Sequence, residues 1–313
     1  MNCLVTGAAG FIGSHLCEHL LAQGHDVVGV DAFIPYYPRP LKERNLAVAR
    51  QHSSFTFREI DLRREPLQPL VADVDVIYHL AAMAGLARSW TDLDGYWTCN
   101  VLATQRLLEA VRTANKSLRR MVIVSTSSVY GGQASGNEEM STKPISPYGV
   151  TKLAGEQIAN AYADQFGIPL VTLRYFSVYG PRQRPDMGYF KFIRALLTGE
   201  SVTIFGNGLQ VRGNTYVDDC VDATIRAANA MPGEIFNVGG GETVNVRDVL
   251  KKLEAISGRS FSIREEAARP GDQQYTLADT SKLRQRLGWQ PMTSIDDGLA
   301  RQWRWQLSLQ QSE

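Results

Sequence analysis

The run Cys3-Leu4-Val5-Thr6-Gly7-Ala8-Ala9-Gly10-Phe11-Ile12-Gly13 predicts a short apolar strand that turns directly into a helix. An amphipathic segment from Ser14 to Gln23 continues that helix. In such a turn Gly7 permits the tight bend, Gly10 lets the backbone approach a pyrophosphate, and Gly13 lets the helix pack closely on the strand. The glycine spacing differs from the commonest dinucleotide fingerprint, but the strand, turn and helix context is the one that a dinucleotide-binding motif needs.

A second strand, Asp26 to Asp31, ends in an acidic residue. A carboxylate about twenty residues beyond the glycines accepts hydrogen bonds from the adenosine ribose hydroxyls and repels a 2′-phosphate. The glycine turn and Asp31 together predict that the chain binds NAD rather than NADP. They also predict an α/β fold with a doubly wound parallel sheet of the Rossmann type.

Tyr148 and Lys152 lie near the start of another predicted helix, which begins around Pro147 and continues to Ala163. The two side chains are four residues apart and therefore share a face of the helix. A lysine ammonium beside a phenol favours the phenolate, so we expect the pKa of Tyr148 to be lowered and Tyr148 to act as a base. Alone, this pair also occurs by chance on exposed helix faces.

The strand before this helix supports the chemical interpretation. Met121 to Val124 predicts a buried parallel strand, which runs into Ser125-Thr126-Ser127-Ser128. Open α/β sheets place their chemistry at the carboxyl ends of their strands. The hydroxyl groups and the Tyr148 helix are thus expected to meet there.

Other strand ends supply further candidates. The predicted strand Phe55 to Ile60 ends at Asp61, where an acid would touch adenine, and Val74 to Leu80 opens into Ala81-Ala82. Small residues there let the backbone pass close under a cofactor, although a plain packing role fits them equally well. A continuous helix is predicted from Tyr96 to Thr113; it and the Tyr148 helix are candidates for a dimer interface, with a buried core face as the alternative.

Regular alternation of strands and helices ends after the strand Ile168 to Arg174. We expect residues 1–175 to form the NAD-binding domain, with its sheet completed by segments near 215–240, and residues 176–313 to form mainly a smaller lobe. Residues 175–187 are dense in arginine, proline and aromatic residues, a composition typical of a loop that holds a substrate. A solvated surface is the alternative for its arginines.

Composition narrows the class of protein. The formal net charge of +1 over 313 residues provides no basic field for nucleic acid, so no nucleic-acid partner is expected. No apolar run approaches the ~20 residues that span a bilayer, no leader is recognisable, and no membrane partner is expected. The four cysteines have no metal-type spacing, which predicts reduced thiols and no metal site. A cytoplasmic location is therefore expected.

The chain resembles the extended short-chain dehydrogenases/reductases over nearly its whole length. The motifs that carry the resemblance are Thr6-Gly7-Ala8-Ala9-Gly10-Phe11-Ile12-Gly13, His79-Leu80-Ala81-Ala82, Ser127-Ser128-Val129-Tyr130-Gly131, and Tyr148 with Lys152. Within this superfamily the sequence is similar to nucleotide-sugar epimerases. That similarity implies a tightly held NAD, a UDP-sugar substrate, a Ser/Thr-Tyr-Lys centre and a homodimer packed through two helices of each subunit.

The resemblance assigns roles position by position. Thr126 would bind the sugar O4, Tyr148 would be the base, and Lys152 would bind the nicotinamide ribose. Arg212 and Arg269 resemble arginines that clasp the diphosphate, and Asp272 resembles the acid that binds the uridine ribose. The expected cofactor residues are Gly7, Gly10, Phe11, Ile12, Gly13, Asp31, Asp61, Leu62, Leu80, Ala81, Ala82, Asn100, Tyr148, Lys152 and Tyr175. The expected substrate residues are Thr126, Ser127, Ser128, Ser177, Arg184, Thr203, Phe205, Arg212, Arg269 and Asp272.

The same comparison favours one reaction. Relatives resembling 4,6-dehydratases carry Asp-Glu directly after the threonine, and decarboxylases typically carry glutamate at the position of Ser128; this chain has Ser127 and Ser128. Many neutral-hexose epimerases have asparagine in place of Ser177, and the run from Val178 to Met187 resembles UDP-glucuronate 4-epimerases. The chain departs from the family at Gly213-Asn214, where Asp-Phe is common, and in the loop 83–88.

These features predict an NAD-dependent 4-epimerase that interconverts UDP-glucuronate and UDP-galacturonate through a 4-keto intermediate, its rotation, and return of the hydride. Three alternatives stay open. They are a UDP-glucose 4-epimerase, a UDP-glucuronate decarboxylase and a non-catalytic NAD-binding protein.

Overall fold

A computed structural model describes residues 1–267 and 275–310. In that part the chain forms fourteen strands: β1 (Asn2–Thr6), β2 (Asp26–Asp31), β3 (Phe55–Glu59), β4 (Val76–His79), β5 (Arg120–Thr126), β6 (Ala134–Gly136), β7 (Leu170–Tyr175), β8 (Ser177–Tyr179), β9 (Ser201–Phe205), β10 (Val211–Tyr216), β11 (Ile235–Val238), β12 (Thr243–Asn245), β13 (Ser262–Glu266) and β14 (Tyr275–Ala278).

Twelve α-helices connect them within the same residues: α1 (Phe11–Ala22), α2 (Arg39–Asn45), α3 (Gln68–Val71), α4 (Leu86–Ser89), α5 (Leu93–Trp97), α6 (Ala103–Ala114), α7 (Pro147–Phe166), α8 (Gly188–Thr198), α9 (Val217–Ala227), α10 (Val246–Ser257), α11 (Ser281–Leu287) and α12 (Ile295–Gln310). Short 3₁₀ turns lie at Ala49–Gln51 and Ser127–Tyr130, and a π-helical turn lies at Thr98–Leu102. No helix in the described residues is both long and apolar enough to cross a membrane.

Seven strands form one parallel sheet in the order β11-β7-β5-β4-β1-β2-β3. β1 pairs in parallel with β2 on one side and β4 on the other. The chain therefore reverses its direction of winding beside β1, and a crevice opens at the carboxyl ends of β1 and β4. This is the predicted doubly wound sheet of the Rossmann type.

Apolar helix faces cover both sides of this sheet. On one side α1 and α9 pack in a core that includes Leu16, Leu20 and Val221. On the other, α3, α6 and α7 pack in a core that includes Leu107 and Leu108. Both helix layers are buried against the strands, as the near-continuous apolar composition of parallel strands requires.

Residues at both ends of α7 fix where this helix begins and ends. Ser146 caps it by accepting a hydrogen bond from Gly149 N–H at 3.1 Å, Pro147 occupies the first turn, and Gly167 ends it in a left-handed conformation with φ of 69°. This capping fixes where the first turn begins. Tyr148 and Lys152 are thereby held at the end of the helix that faces the sheet's carboxyl edge.

The smaller lobe contains two further sheets. β12-β10-β14-β6 form one, with β8 added on β10, and β13 pairs with β9 in the other. Of the segments near 215–240 that were expected to complete the large sheet, β11 does so beside β7, whereas β10 belongs to the lobe. The division into domains at 175/176 stays a prediction.

The helical segment predicted from Tyr96 to Thr113 is present, as α5, a π-helical turn and α6 in direct succession. The π-helical turn Thr98–Leu102 lies between them and contains Asn100, whose side chain hydrogen-bonds the neighbouring loop. Such turns are frequent at functional sites.

Candidate active site

A cavity of about 530 Å³ opens at the carboxyl ends of the large sheet and extends to the smaller lobe. This volume lies within the range of small-molecule sites. The predicted residues that line it are Gly7, Gly10, Phe11, Ile12, Gly13, Asp31, Asp61, Leu62, Leu80, Ala81, Ala82, Thr126, Ser127, Ser128, Tyr148, Lys152, Tyr175, Ser177, Arg184 and Arg212. Residues from distant parts of the sequence are thus brought to one wall.

The glycine turn provides a cradle of backbone groups. A Cβ on Gly13 would lie 2.2 Å from the carbonyl oxygen of Gly7, so only glycine lets α1 approach β1 this closely. Gly10 is the N-cap residue of α1, and no side chain caps the helix there. The first-turn residues line the cavity, and their amide N–H groups suit a diphosphate there.

Asp31 adjoins the glycine turn. One carboxylate oxygen accepts a hydrogen bond from Phe33 N–H at 2.8 Å and the other from Ala9 N–H at 3.2 Å. Each oxygen keeps a further lone pair for a ribose hydroxyl. Burial raises the pKa of the Asp31 carboxyl, and the Lys42 ammonium opposes that shift.

Asp61 lines the cavity as predicted but already has a partner. Both its carboxylate oxygens accept hydrogen bonds from the Arg63 guanidinium, the shortest at 2.7 Å. The Arg63 side chain holds the pKa of Asp61 below its usual value. Arg63 also lines the cavity, so any adenine bound beside Asp61 meets the ion pair rather than a lone carboxylate.

Two hydroxyl groups on the cavity wall are buried without a hydrogen-bond partner in the described part of the chain, those of Tyr37 and Ser125. Buried hydroxyls normally have a partner. The backbone cradle, the lone pairs of Asp31 and these two hydroxyls together supply the acceptors and donors that a dinucleotide needs. The residues present therefore fit NAD.

Thr126, Tyr148 and Lys152 converge on the same wall. Thr126 ends β5 and caps the turn Ser127–Tyr130 by accepting a hydrogen bond from Ser128 N–H at 3.2 Å. Burial raises the pKa of Tyr148, whereas its hydrogen bond with Thr126 and the charge of Arg184 act to lower it. The lowered pKa expected from Lys152 is not seen: burial has the largest effect on the pKa of Tyr148, and Thr126 and Arg184, rather than Lys152, act against it.

Lys152 lies beneath this group. Its ammonium donates a hydrogen bond to the carbonyl oxygen of Val124, and burial lowers its pKa to about 8, with Glu156 opposing the shift. Glu156 lies four residues further along α7 and forms a buried ion pair with Arg174. The ammonium is therefore held in place by the backbone of β5, close to the point where that strand reaches the cavity.

Asn100 was expected to contact the cofactor directly, but its side chain lies behind the cavity lining. It is 2% exposed, and its side chain hydrogen-bonds Met83 N–H at 2.8 Å, Met83 carbonyl oxygen at 3.0 Å and the Thr151 hydroxyl at 3.1 Å. Met83 lines the cavity, but Asn100 does not. Asn100 thus fixes the loop after β4 against α7.

His79 also helps to fix the segments around Asn100. Its ring contacts the Thr6 hydroxyl at 2.8 Å and the Thr104 hydroxyl at 3.0 Å, and burial lowers its pKa to about 3. The Thr104 hydroxyl donates to the Asn100 carbonyl oxygen, so it accepts from His79 Nε2–H. The neutral ring therefore links the strand before the glycine turn to the π-helical turn.

Arg184 lines the same cavity as Tyr148 and acts on its pKa, but Asp186 already pairs with the Arg184 guanidinium. Arg184 Nε and Nη2 donate to the two Asp186 carboxylate oxygens, each at 2.9 Å. The guanidinium also lies 5.4 Å from the ring centroid of Tyr36. Gly85, at φ of 101°, makes room for this arrangement, since a Cβ there would lie 2.5 Å from the Tyr36 hydroxyl.

Some predicted substrate residues do not join the site. Thr203 and Phe205 are on β9, and neither lines the cavity, because β9 pairs with β13 in the outer part of the lobe. Arg269 and Asp272 lie outside the described residues. Arg212, by contrast, reaches the cavity from β10.

Sequence reasoning missed several cavity residues, among them Tyr36, Tyr37, Lys42 and Arg63. The loop 33–40 was recognisable only by its prolines and tyrosines. Polar residues in an unusually aromatic loop after the strand of Asp31 would have been the available signal.

The fold and cavity define an NAD-binding protein of the short-chain dehydrogenase/reductase type with a threonine, tyrosine and lysine centre. The profile of the family described as "NAD dependent epimerase/dehydratase family" matches residues 3–239. The chain belongs to that family.

Individual relatives agree with this. The chain is 46% identical over 319 residues to the uncharacterised UDP-glucose epimerase YtcB of Bacillus subtilis (strain 168), covering 100% of both chains. It is 34% identical over 308 residues to the UDP-glucuronate 4-epimerase of Thermodesulfobacterium geofontis (strain OPF15), covering 96% of this chain and 95% of that one.

The crystal structure of UDP-glucuronic acid 4-epimerase from Bacillus cereus, in complex with UDP-glucuronic acid and NAD, has a TM-score of 0.94 to this chain. Identity is 44%, with 99% of this chain and 100% of that chain covered. The cofactor named there is the one that Asp31 and the glycine turn predict.

Proposed function

We propose that this chain is an NAD-dependent UDP-sugar 4-epimerase that interconverts UDP-glucuronate and UDP-galacturonate. The observation that carries the proposal is the convergence of Thr126, Tyr148 and Lys152 with Arg184 on one cavity whose opposite end suits NAD. The chemistry that bound NAD would supply is acceptance of a hydride from the sugar C4 and its return in each turnover.

The protein side chains manage the proton and the pose of the sugar. Tyr148 removes the proton of the 4-hydroxyl as the hydride leaves and gives it back when the hydride returns. Thr126 hydrogen-bonds Tyr148 and the sugar O4, and Lys152 would hold the nicotinamide ribose. A general base of this kind contributes about 10²–10⁴-fold to the rate.

The residues after Thr126 favour simple return of the hydride. Elimination of a 6-hydroxyl group needs an acid and a base beside the sugar. Ser127 and Ser128, which line the cavity at this place, supply neither. The 4-keto sugar therefore keeps its substituents, rotates, and accepts the hydride on its other face.

Arg184 gives the reason to prefer a uronate. A buried guanidinium facing Tyr148 suits a carboxylate at the sugar C6. Oxidation of a uronate at C4 makes a β-keto acid, which loses carbon dioxide when its carboxylate bond stands perpendicular to the ketone plane. By holding the carboxylate before and after the ring turns, Arg184 keeps that bond near the plane in both poses in which the hydride is exchanged.

A UDP-glucose 4-epimerase is the second candidate. It is supported by the printed name of the relative YtcB and by the pairing of Arg184 with Asp186, which leaves a neutral ion pair beside an uncharged 6-hydroxyl. Diphosphate binding by Arg212 is common to both candidates, because that part of the substrate is shared.

We also propose that the enzyme is a cytoplasmic homodimer. Leu93 and Trp97 on α5, Leu102 beside it and Val150 on α7 are apolar and exposed on adjacent helices. A second copy that buried them would remove this apolar area from water. Trp97→Glu should yield monomers in analytical ultracentrifugation, whereas Val48→Glu, at another exposed apolar position, should leave a dimer; a monomeric wild type would refute the dimer.

Incubation of the purified protein with UDP-glucuronate and, separately, with UDP-glucose tests the function. Separation of the products should show UDP-galacturonate forming rapidly and UDP-galactose slowly or not at all. UDP-galactose as the faster product would select the second candidate, and a UDP-pentose as the main product would select a decarboxylase. Failure of all three to appear would refute the proposed enzyme class.

A further inference from the structure

The Arg184–Asp186 pair is already a complete guanidinium–carboxylate contact. Arg184 Nε and Nη2 donate to the two oxygens of Asp186 at 2.9 Å each. Two of the five guanidinium N–H donors are used in this way. The geometry is that of the parallel, bidentate contact that Arg184 would make with a substrate carboxylate.

Only one member of the pair faces the cavity directly. Arg184 lines the cavity and is 20% exposed at its side chain, whereas Asp186 is 38% exposed and does not line it. The Tyr36 ring packs on the guanidinium, and Arg88 lies 5.0 Å from the centroid of the same ring. The guanidinium thus has a fixed wall on one side and a carboxylate of its own chain at one edge.

Epimerisation poses a particular problem for such a contact. The sugar ring must turn to present its other face, and the carboxylate on C5 moves with the ring. A buried guanidinium whose carboxylate partner departs is left with an uncompensated charge, which is strongly unfavourable. The ring would then turn slowly, because the contact would have to break before another formed.

We propose that Asp186 is a specificity-determining positioning residue: its carboxylate takes the Arg184 guanidinium whenever the carboxylate of the substrate leaves it. Exchange of one carboxylate for another keeps the guanidinium paired throughout the turn. Asp186 therefore weakens the binding of the uronate and speeds its rotation. This inference rests on the proposed function, since a neutral sugar has no carboxylate to exchange.

Asp186→Asn tests this with little change of shape. The amide keeps a hydrogen bond to Arg184 but removes the competing charge. With UDP-glucuronate, we expect the dissociation constant to fall by about tenfold and kcat to fall by a similar factor, because the uronate is held more tightly before the turn and no carboxylate of the chain replaces it during the turn. With UDP-glucose, both quantities should change by less than about twofold.

Glu59→Gln is the matched control, because Glu59 also makes a bidentate contact with an arginine, Arg39, at an exposed place outside the cavity. It should leave both substrates unaffected. The measurements are calorimetric binding of each UDP-sugar to the NAD-loaded enzyme and steady-state kinetics with each.

Three results would overturn the inference. A weaker binding of UDP-glucuronate by Asp186→Asn would mean that Asp186 only braces Arg184. Equal effects on both sugars would mean a general structural role. Tighter binding of UDP-glucuronate with unchanged kcat would mean that Asp186 plays no part in the turn. A wrong assignment of the substrate can be distinguished from these three results. The wild-type enzyme would then use UDP-glucose but not UDP-glucuronate. That result would refute the inference about Asp186 as well.

Discussion

Replacement of Lys152 by methionine should make the cofactor-free protein more stable while removing most activity. The ammonium of Lys152 lies in the cavity wall, where burial lowers its pKa to about 8. Below pH 8 the lysine is charged in the folded and in the unfolded chain, but only the folded chain bears the cost of burying that charge. Methionine has a similar length and no charge.

The magnitude follows from the pKa. The difference between 10.5 and about 8 corresponds to roughly 3 kcal/mol against folding at neutral pH. Water in the cavity screens part of this, and the Val124 carbonyl oxygen loses its donor, so about 2 kcal/mol of net stabilisation remains. For a chain of this length, that is a rise in Tm of about 3 °C.

The pH dependence of the stability difference between wild type and Lys152→Met is the sharper test of the lowered pKa. Between pH 8 and about 10.5 the unfolded wild-type chain binds more protons at this lysine than the folded one, so wild-type stability rises with pH there. The advantage of Lys152→Met should therefore be full at pH 7 and mostly gone by about pH 10. Thermal unfolding of both proteins without NAD at the two pH values measures it. An equal or lower Tm for the variant at pH 7 would refute the assigned environment of Lys152.

Three other substitutions probe other parts of the cavity. Asp31→Ala should weaken NAD binding and lessen the discrimination against NADP, because the carboxylate faces the 2′ position of the ribose; NADP binding to wild type as tightly as NAD would contradict this. Arg184→His should reduce turnover of UDP-glucuronate far more than that of UDP-glucose and release some carbon dioxide, and equal losses without carbon dioxide would exclude Arg184 as the carboxylate contact. Asn100→Ala should weaken NAD binding indirectly and lower stability by about 1–3 kcal/mol, since it leaves the buried Met83 backbone unpaired; an unchanged Tm would remove its structural role.

The large sheet was predictable because its signals are local. The glycine turn, the acid that ends β2 and the apolar run of β5 each reveal themselves within a few residues, and their order along the chain implies the doubly wound sheet. The capped start of α7 was predictable for the same reason. Ser146 and Pro147 mark it without any knowledge of the tertiary structure.

What escaped prediction depends on contacts between distant segments. Asn100, in the π-helical turn Thr98–Leu102, hydrogen-bonds the loop after β4, and no local sequence pattern indicates that contact. The pKa of Tyr148 was placed in the wrong direction because the sequence shows a lysine four residues away but not the depth of burial. The short strands β6, β12, β13 and β14 are defined by pairing with remote partners rather than by long apolar runs.

Within the site, the sequence was most informative about residues whose role follows from the chemistry of their side chain. Thr126, Tyr148 and Lys152 are recognisable by their chemistry and spacing. The pairing of Asp61 with Arg63 and of Arg184 with Asp186 depends on the side-chain conformations that the folded loops select. Such pairs decide which charges remain available to a ligand, and they become visible only in the structure.

The most direct test of the proposed chemistry uses UDP-glucuronate labelled with deuterium at C4. The purified protein is incubated with it in ordinary water, and the C4 position of the UDP-galacturonate is read by NMR. If Tyr148 handles the proton while the same hydride leaves and returns, the product retains the deuterium at C4, and Tyr148→Phe forms it about 10²–10⁴-fold more slowly. Hydrogen from water at C4 of the product, or unimpaired turnover by Tyr148→Phe, would contradict the mechanism.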